Sequence, residues 1–159
     1  MKYKRFEELP VWKDAIELAV RTFALTATTC FRGHSGTRNQ LENAVVSISN
    51  NIAEGFERGT TQETLTFLYI SRGSAGETRS MYCLLERLPE FIDFRSEISD
   101  LKSRAESISR QLRAWCESLQ NTDIRGTRYL TNQSRRADER RREREEFLAE
   151  LEQIRNRKH

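Results

Sequence analysis

Apolar side chains return along this chain at the three- and four-residue intervals that place them on one face of an α-helix. From Phe94 to Leu119 the rhythm never fails: Phe94, Ile98, Leu101, Ala105, Ile108, Leu112, Trp115 and Leu119 follow at 4, 3, 4, 3, 4, 3 and 4. Such a seam predicts a long bundle helix. Upstream, Leu41, Val45, Ile48, Ile52 and Phe56 predict a helix from Ser35, taken as its N-cap, to Glu57, with Gly59 as its C-terminal stop. Val11, Ala15, Leu18 and Thr22, flanked by Trp12, Ile16, Ala19 and Phe23, predict an earlier helix. It opens at Pro10, where a missing N–H costs nothing, and ends around Cys30. Thr60-Thr61-Gln62-Glu63 has the spacing of a capping box and opens a further helix. That helix carries Leu65, Leu68, Tyr69, Met81, Leu84, Leu85 and Leu88, and Pro89 stops it.

Helices of about 20 to 28 residues are roughly 30 to 42 Å long, and connections this short force sequence neighbours to run antiparallel. The expected fold is all-α: an up-down-up-down antiparallel four-helix bundle over residues 1–120 with a charged C-terminal helical extension. Residues 121–134, NTDIRGTRYLTNQS, read as a linker. Residues 135–159 read as the charged tail, rich in helix formers with alternating charge signs, in which Phe147, Leu148, Leu151 and Ile154 make one short apolar stripe.

With 159 residues the chain has enough length for a substantial core. A charged content of 32% and a mean hydropathy of −0.75 leave no window near the ~20 apolar residues of a membrane span. The amino terminus, MKYKRFEELP, lacks a signal peptide's apolar stretch. These features predict a cytoplasmic protein without a membrane partner. Cys30, Cys83 and Cys116 are odd in number and far apart, and His34 and His159 are the sole histidines. That is too little for a disulfide framework, a metal cluster or a Ser-His-acid triad. No metal, cofactor, small-molecule substrate or enzymatic activity is expected. The net charge of +3 is uneven: residues 1–120 carry 16 Lys+Arg against 16 Asp+Glu, and residues 121–159 carry 11 against 8.

Two polar groups interrupt the predicted helices. Asn50, Asn51 and Glu54 sit in NNIAEG, and Ser74, Gly76 and Glu77 in GSAGE. One reading makes Glu54 and Glu77 an acid/base pair. The other, which prevails without a histidine or a phosphate-binding glycine loop, lets small residues bring the two helices close while the polar groups bond across the gap or a subunit boundary. A buried carboxylate there needs a cation, for which Arg58, Arg72 and Arg79 are the candidates. In the tail, Arg135, Arg136, Arg140, Arg141, Arg142 and Arg144 suit phosphate contacts. Asp138, Glu139, Glu143, Glu145 and Glu146 interleave with them, so charge alone slightly favours a solvated helix laced with i,i+4 pairs. Without interleaved aromatics, any contact would be to backbone rather than bases. Trp12 and Trp115 read as core or interface anchors.

The strings FEELPVWKDAIELA and QLENAVVSISNNIAEGFERGTTQETLTFLYISRGSAGE resemble the four-helix-bundle family of 23S rRNA-intervening-sequence proteins. The accessory variability determinant (Avd) of diversity-generating retroelements is related to that family. The matching positions include Phe6, Leu9, Trp12, Gln40, Ser47, Asn50, Ala53, Glu54, Gly55, Arg58, Phe67, Gly73, Ser74 and Glu77, within residues 6–119. The resemblance implies a non-enzymatic homo-oligomer, a pentameric barrel, whose retroelement relatives bind RNA and a reverse transcriptase. On the bundle, Arg38, Arg58, Arg72 and Arg79 would then be phosphate contacts, joined by the tail arginines. Two departures bear on this. Phe31-Arg32-Gly33-His34-Ser35-Gly36-Thr37 looks shortened where the family has a longer turn, and Glu42-Asn43 stand where the family often has basic residues. Both remove positive charge from the bundle and shift the expected phosphate contacts toward the tail. The opposing expectation is a protein-interaction scaffold that touches no nucleic acid.

Overall fold

The computed structural model describes residues 3–121 and, beyond them, the helical positions Arg140, Arg144 and Leu148. The chain separates into two units, Met1–Gly126 and Thr127–His159. The first is built on α1 (Pro10–Thr26), α2 (Ser35–Glu57), α3 (Thr61–Leu85) and α4 (Arg95–Gln120), with single 3-10 segments at Phe6–Glu8, Thr29–Phe31 and Pro89–Phe94. Each helix packs on its sequence neighbours and α1 closes onto α4, which makes an antiparallel four-helix bundle without strands among the described residues.

The ends of these helices follow local chemistry. Pro10 occupies the first position of α1, and the carbonyl of Leu9 accepts from the amides of Trp12 and Lys13. Helix α1 stops at Thr26, one turn short of Cys30. In TATTCF the threonine hydroxyls compete for the carbonyls that would continue the helix. Thr28 Oγ1 donates to the Leu25 carbonyl at 2.6 Å, and a 3-10 turn over Thr29–Phe31 then buries Phe31. Gly33 reverses the chain at φ 83°, a conformation that favours glycine. Ser35 is the first residue of α2 rather than its cap; His34 takes the cap position, with its carbonyl receiving the Arg38 amide. Gly59 is not a left-handed stop, because the chain leaves α2 through extended backbone at Arg58. Thr60 does cap α3: its hydroxyl accepts from the Glu63 amide at 3.2 Å and donates to Glu63 Oε2 at 2.7 Å.

In α2 and α4 the core is the predicted one. Leu41, Val45, Ile48, Ile52 and Phe56 are buried, as are Ile98, Leu101, Ala105, Ile108 and Leu112, with Trp12, Phe94, Trp115 and Leu119 partly covered at the margins. The seam of α3 differs. It is Thr64, Leu68, Ser71, Ala75, Thr78, Tyr82 and Leu85, every one fully buried, whereas Tyr69 and Leu84 lie on the outside. Tyr82 spans the core to α1, where its hydroxyl lies 2.5 Å from Thr22 Oγ1, which itself donates to the Leu18 carbonyl at 2.6 Å. Phe94 closes a six-residue 3-10 segment rather than opening α4. That segment drives Phe91 into the core, edge-on to Phe31 at 4.9 Å, and joins the two turns at one end of the bundle. There His34 stands 3.7 Å from Glu90.

Candidate interaction surfaces

The close approach of α2 and α3 centres on Gly55. A Cβ there would come within 2.9 Å of Phe67 Cβ and 3.3 Å of the Thr64 carbonyl oxygen, so the packing admits hydrogen alone. Two turns from Gly55 along α2, the Ile48 carbonyl accepts from Ser71 Oγ at 2.8 Å. Further along, Ser47 Oγ and Ser74 Oγ meet at 2.9 Å, and Asn51 Nδ2 donates to the Ser47 carbonyl at 2.7 Å and to its hydroxyl at 3.0 Å. Of the five residues expected to form one polar network, Asn51 and Ser74 are therefore joined, through Ser47, a residue outside that expected set. Asn50 points outward. Glu54 is half exposed and pairs with Arg58 on its own helix. Glu77 is exposed, with no hydrogen-bond or ion-pair partner among the described residues. The seam thus contains no buried carboxylate, and Glu54 and Glu77 share no pocket. Gly73 and Gly76 face open space, so neither contributes to the approach of the helices.

An open groove of about 420 Å³ runs over α1 and α2, lined by Phe23, Glu42, Asn43, Val46, Ser47, Asn50, Asn51 and Glu54. Burial pushes the Glu42 carboxyl up. That push is outweighed by hydrogen bonds from Thr26 at 2.5 Å and Arg38 at 2.9 Å, which hold it below the ordinary carboxylate range.

The four bundle arginines fall into two pairs. Arg38 is engaged with Glu42, and Arg58 with Glu54 while its guanidinium lies 4.7 Å over the Phe67 ring. Arg72 and Arg79 have no carboxylate partner among the described residues. Arg72 sits close enough to α4 to oppose the upward push of burial on the Cys116 thiol. In the second unit Arg140 and Arg144 are helical and exposed, one turn apart, with Leu148 next on the same face and 51% exposed. Arg135, Arg136, Arg141 and Arg142 lie outside the described residues. Among the described residues no three His, Cys, Asp or Glu side chains converge on a metal position, and no helix is long and apolar enough to cross a membrane.

With this geometry the chain can be set beside known proteins. The family model described as 23S rRNA-intervening sequence protein matches residues 7–114, which is more than half of the chain. The chain belongs to that family. As an intervening-sequence protein it has no match among curated proteins. It is similar in fold to a crystal structure of a protein of unknown function from the S23 ribosomal protein family of Bacteroides thetaiotaomicron VPI-5482. The two chains are 20% identical with a TM-score of 0.58, covering 67% of this chain and 98% of the other. The function of the intervening-sequence family is not established, and the match ends at residue 114, before the arginine-rich segment begins.

Proposed function

We propose that this intervening-sequence protein is a non-catalytic accessory that assembles as a homo-oligomer, a ring of five, and binds RNA, in company with a reverse transcriptase where it serves a retroelement. Exposed Arg140 and Arg144 on one helical face carry this reading. They belong to a segment with 11 basic residues against 8 acidic ones, and repetition around a ring would turn weak phosphate contacts into useful avidity. Of the four bundle arginines named above, Arg72 and Arg79 are the two without a carboxylate partner among the described residues, since Arg38 and Arg58 already hold Glu42 and Glu54. The phosphate contacts therefore centre on the tail, with Arg135, Arg136, Arg141 and Arg142 beside the two named, and α3 supplies a secondary contact.

The test is binding of a structured RNA to the full chain across a salt series. Affinity measurable at about 50 mM salt should fall steeply as salt rises, and a chain ending at Gln120 should lose most of it. Absence of binding at low salt, or binding indifferent to salt, overturns the reading. One observation favours a second reading, a scaffold that contacts proteins alone: residues 1–120 have balanced charge, and most of the bundle's arginines are spent on internal ion pairs. That scaffold would bind a protein partner with little dependence on salt.

A further inference from the structure

The side of α3 that meets α4 carries one row of residues at alternating three- and four-residue steps: Tyr69, Arg72, Gly76, Arg79, Cys83 and Glu86. Both ends of the row are tied to α4. Tyr69 Oη accepts from Gln120 Nε2 at 2.7 Å, and Glu86 Oε1 accepts from Lys102 Nζ at 2.7 Å. Between these ties Gly76 and Arg79 are exposed and Arg72 is half-buried. A Cβ at Gly76 would meet no atom within 4 Å, so the row lies open between its two arginines. The neighbouring acids are spent or turned away. Glu86 is held by Lys102, Glu106 by Arg110 and Glu117 by Arg113. Glu77 stands about 140–160° around α3 from either arginine, at about 100° per residue. Tyr69, which adds nothing to the core, is 44% exposed although its hydroxyl is engaged. An exposed ring therefore heads a row of two cations that no carboxylate of the described residues neutralises.

We infer that this flank of α3 is a binding site for single-stranded RNA, in which a base stacks on Tyr69 while backbone phosphates lie on Arg72 and Arg79. The inference rests on the RNA reading above and adds to the tail contacts a site that distinguishes a single strand from a duplex. The two kinds of side chain divide the work. A guanidinium grips a phosphate through paired N–H donors and reads no sequence. Seven residues separate the two arginines, about 10 Å along the helix, so they serve separate phosphates of one strand. An exposed ring offers its face to any unpaired base, whereas the bases of a duplex are already stacked on one another and cannot reach it. The bond from Gln120 holds that ring against α4 and lowers the cost of ordering it for stacking. An acidic protein segment fits less well, because Gly76 provides no apolar floor between the cations for it to bury.

The test compares the full chain binding an oligouridine of about 20 nucleotides with its binding of an RNA duplex of equal length. Tyr69→Ala should weaken the single strand about tenfold and leave the duplex unchanged, while Tyr69→Phe, which keeps the ring, stays within about threefold of wild type on both. Arg72→Gln with Arg79→Gln should lower the slope of log affinity against log salt on the single strand by about 1.4, two contacts at about 0.7 each. Arg79→Gln alone, at an exposed position, should give half that drop, and Lys13→Gln, an exposed cation on α1, none. All variants should keep the helical circular-dichroism signal. If Y69A weakens both RNAs alike or neither, if Y69F is as weak as Y69A, or if R79Q leaves the slope unchanged, the inference falls while the RNA reading stands. If the wild-type chain binds neither RNA at about 50 mM salt, both fall.

Discussion

Tyr82 places a titratable hydroxyl where water does not reach. Burial pushes its pKa up to about 12, against the hydrogen bond with Thr22 that pulls the other way. Between pH 10 and 12 the unfolded chain would release this proton while the folded chain keeps it, so stability is intact below pH 10 and falls as pH rises through that window. The full loss is about 2–3 kcal/mol, from a shift of about two units at 1.36 kcal/mol each. Urea unfolding at pH 9 and pH 11 should show Y82F losing less stability than wild type over the interval; equal losses would contradict the buried titration. At pH 7 the same variant should cost about 1 kcal/mol for the missing hydrogen bond. Glycines make a second contrast. Replacing a mid-helix glycine by alanine returns about 1 kcal/mol of helix propensity. At Gly55 overpacking against Phe67 and Thr64, typically 1–3 kcal/mol, outweighs that gain, whereas at Gly73 and Gly76 nothing opposes it. G55A should therefore lower the denaturation midpoint while G73A and G76A leave it unchanged or raise it, and a stabilised G55A would show that Phe67 yields more readily than its packing implies.

Helix α3 explains why the sequence disclosed some elements and concealed others. In α2 and α4 the buried repeat is mostly aliphatic, so periodicity located it, although Ser49 and Cys116 are buried beside it without belonging to it. In α3 four of the seven seam positions are Thr64, Ser71, Thr78 and Tyr82, and the apolar pattern points as well to Tyr69 and Leu84, which face out. The 3-10 segment Pro89–Phe94 was hidden for a different reason, since Pro89 reads as a stop and gives no sign that Phe91 turns inward two residues later. The polar seam was half visible: NNIAEG and GSAGE marked the right helices, but which amide or serine points inward depends on helix rotation that spacing does not resolve. Thr78 tests the polar seam directly. Its Oγ1 is buried without a hydrogen-bond partner among the described residues. An orphaned hydroxyl costs about 1–3 kcal/mol, and valine has nearly the same shape. T78V should raise stability by about 1 kcal/mol in thermal or urea unfolding; a loss of that size would mean the hydroxyl is satisfied, for example by a bound water.

Across the whole molecule, stability and assembly meet in α1. It is the shortest of the four helices, and it packs less extensively on α2 and α4 than α3 does on its own two neighbours. Its outer face adds little to the monomer's core, since Val20 and Phe23 turn away from it. Detaching α1 would sacrifice its inner apolar row and the Arg21 pairs with Glu97 and Asp100, and leave the α2–α3–α4 contacts standing. In native-state hydrogen exchange the amides of α1 should open at lower free energy than those of α3. If a second copy covers the outer face, their protection should rise with protein concentration while that of α3 changes little. The helix that looks least securely held in one chain would then be the one whose lifetime reports, amide by amide, how much of the population is assembled.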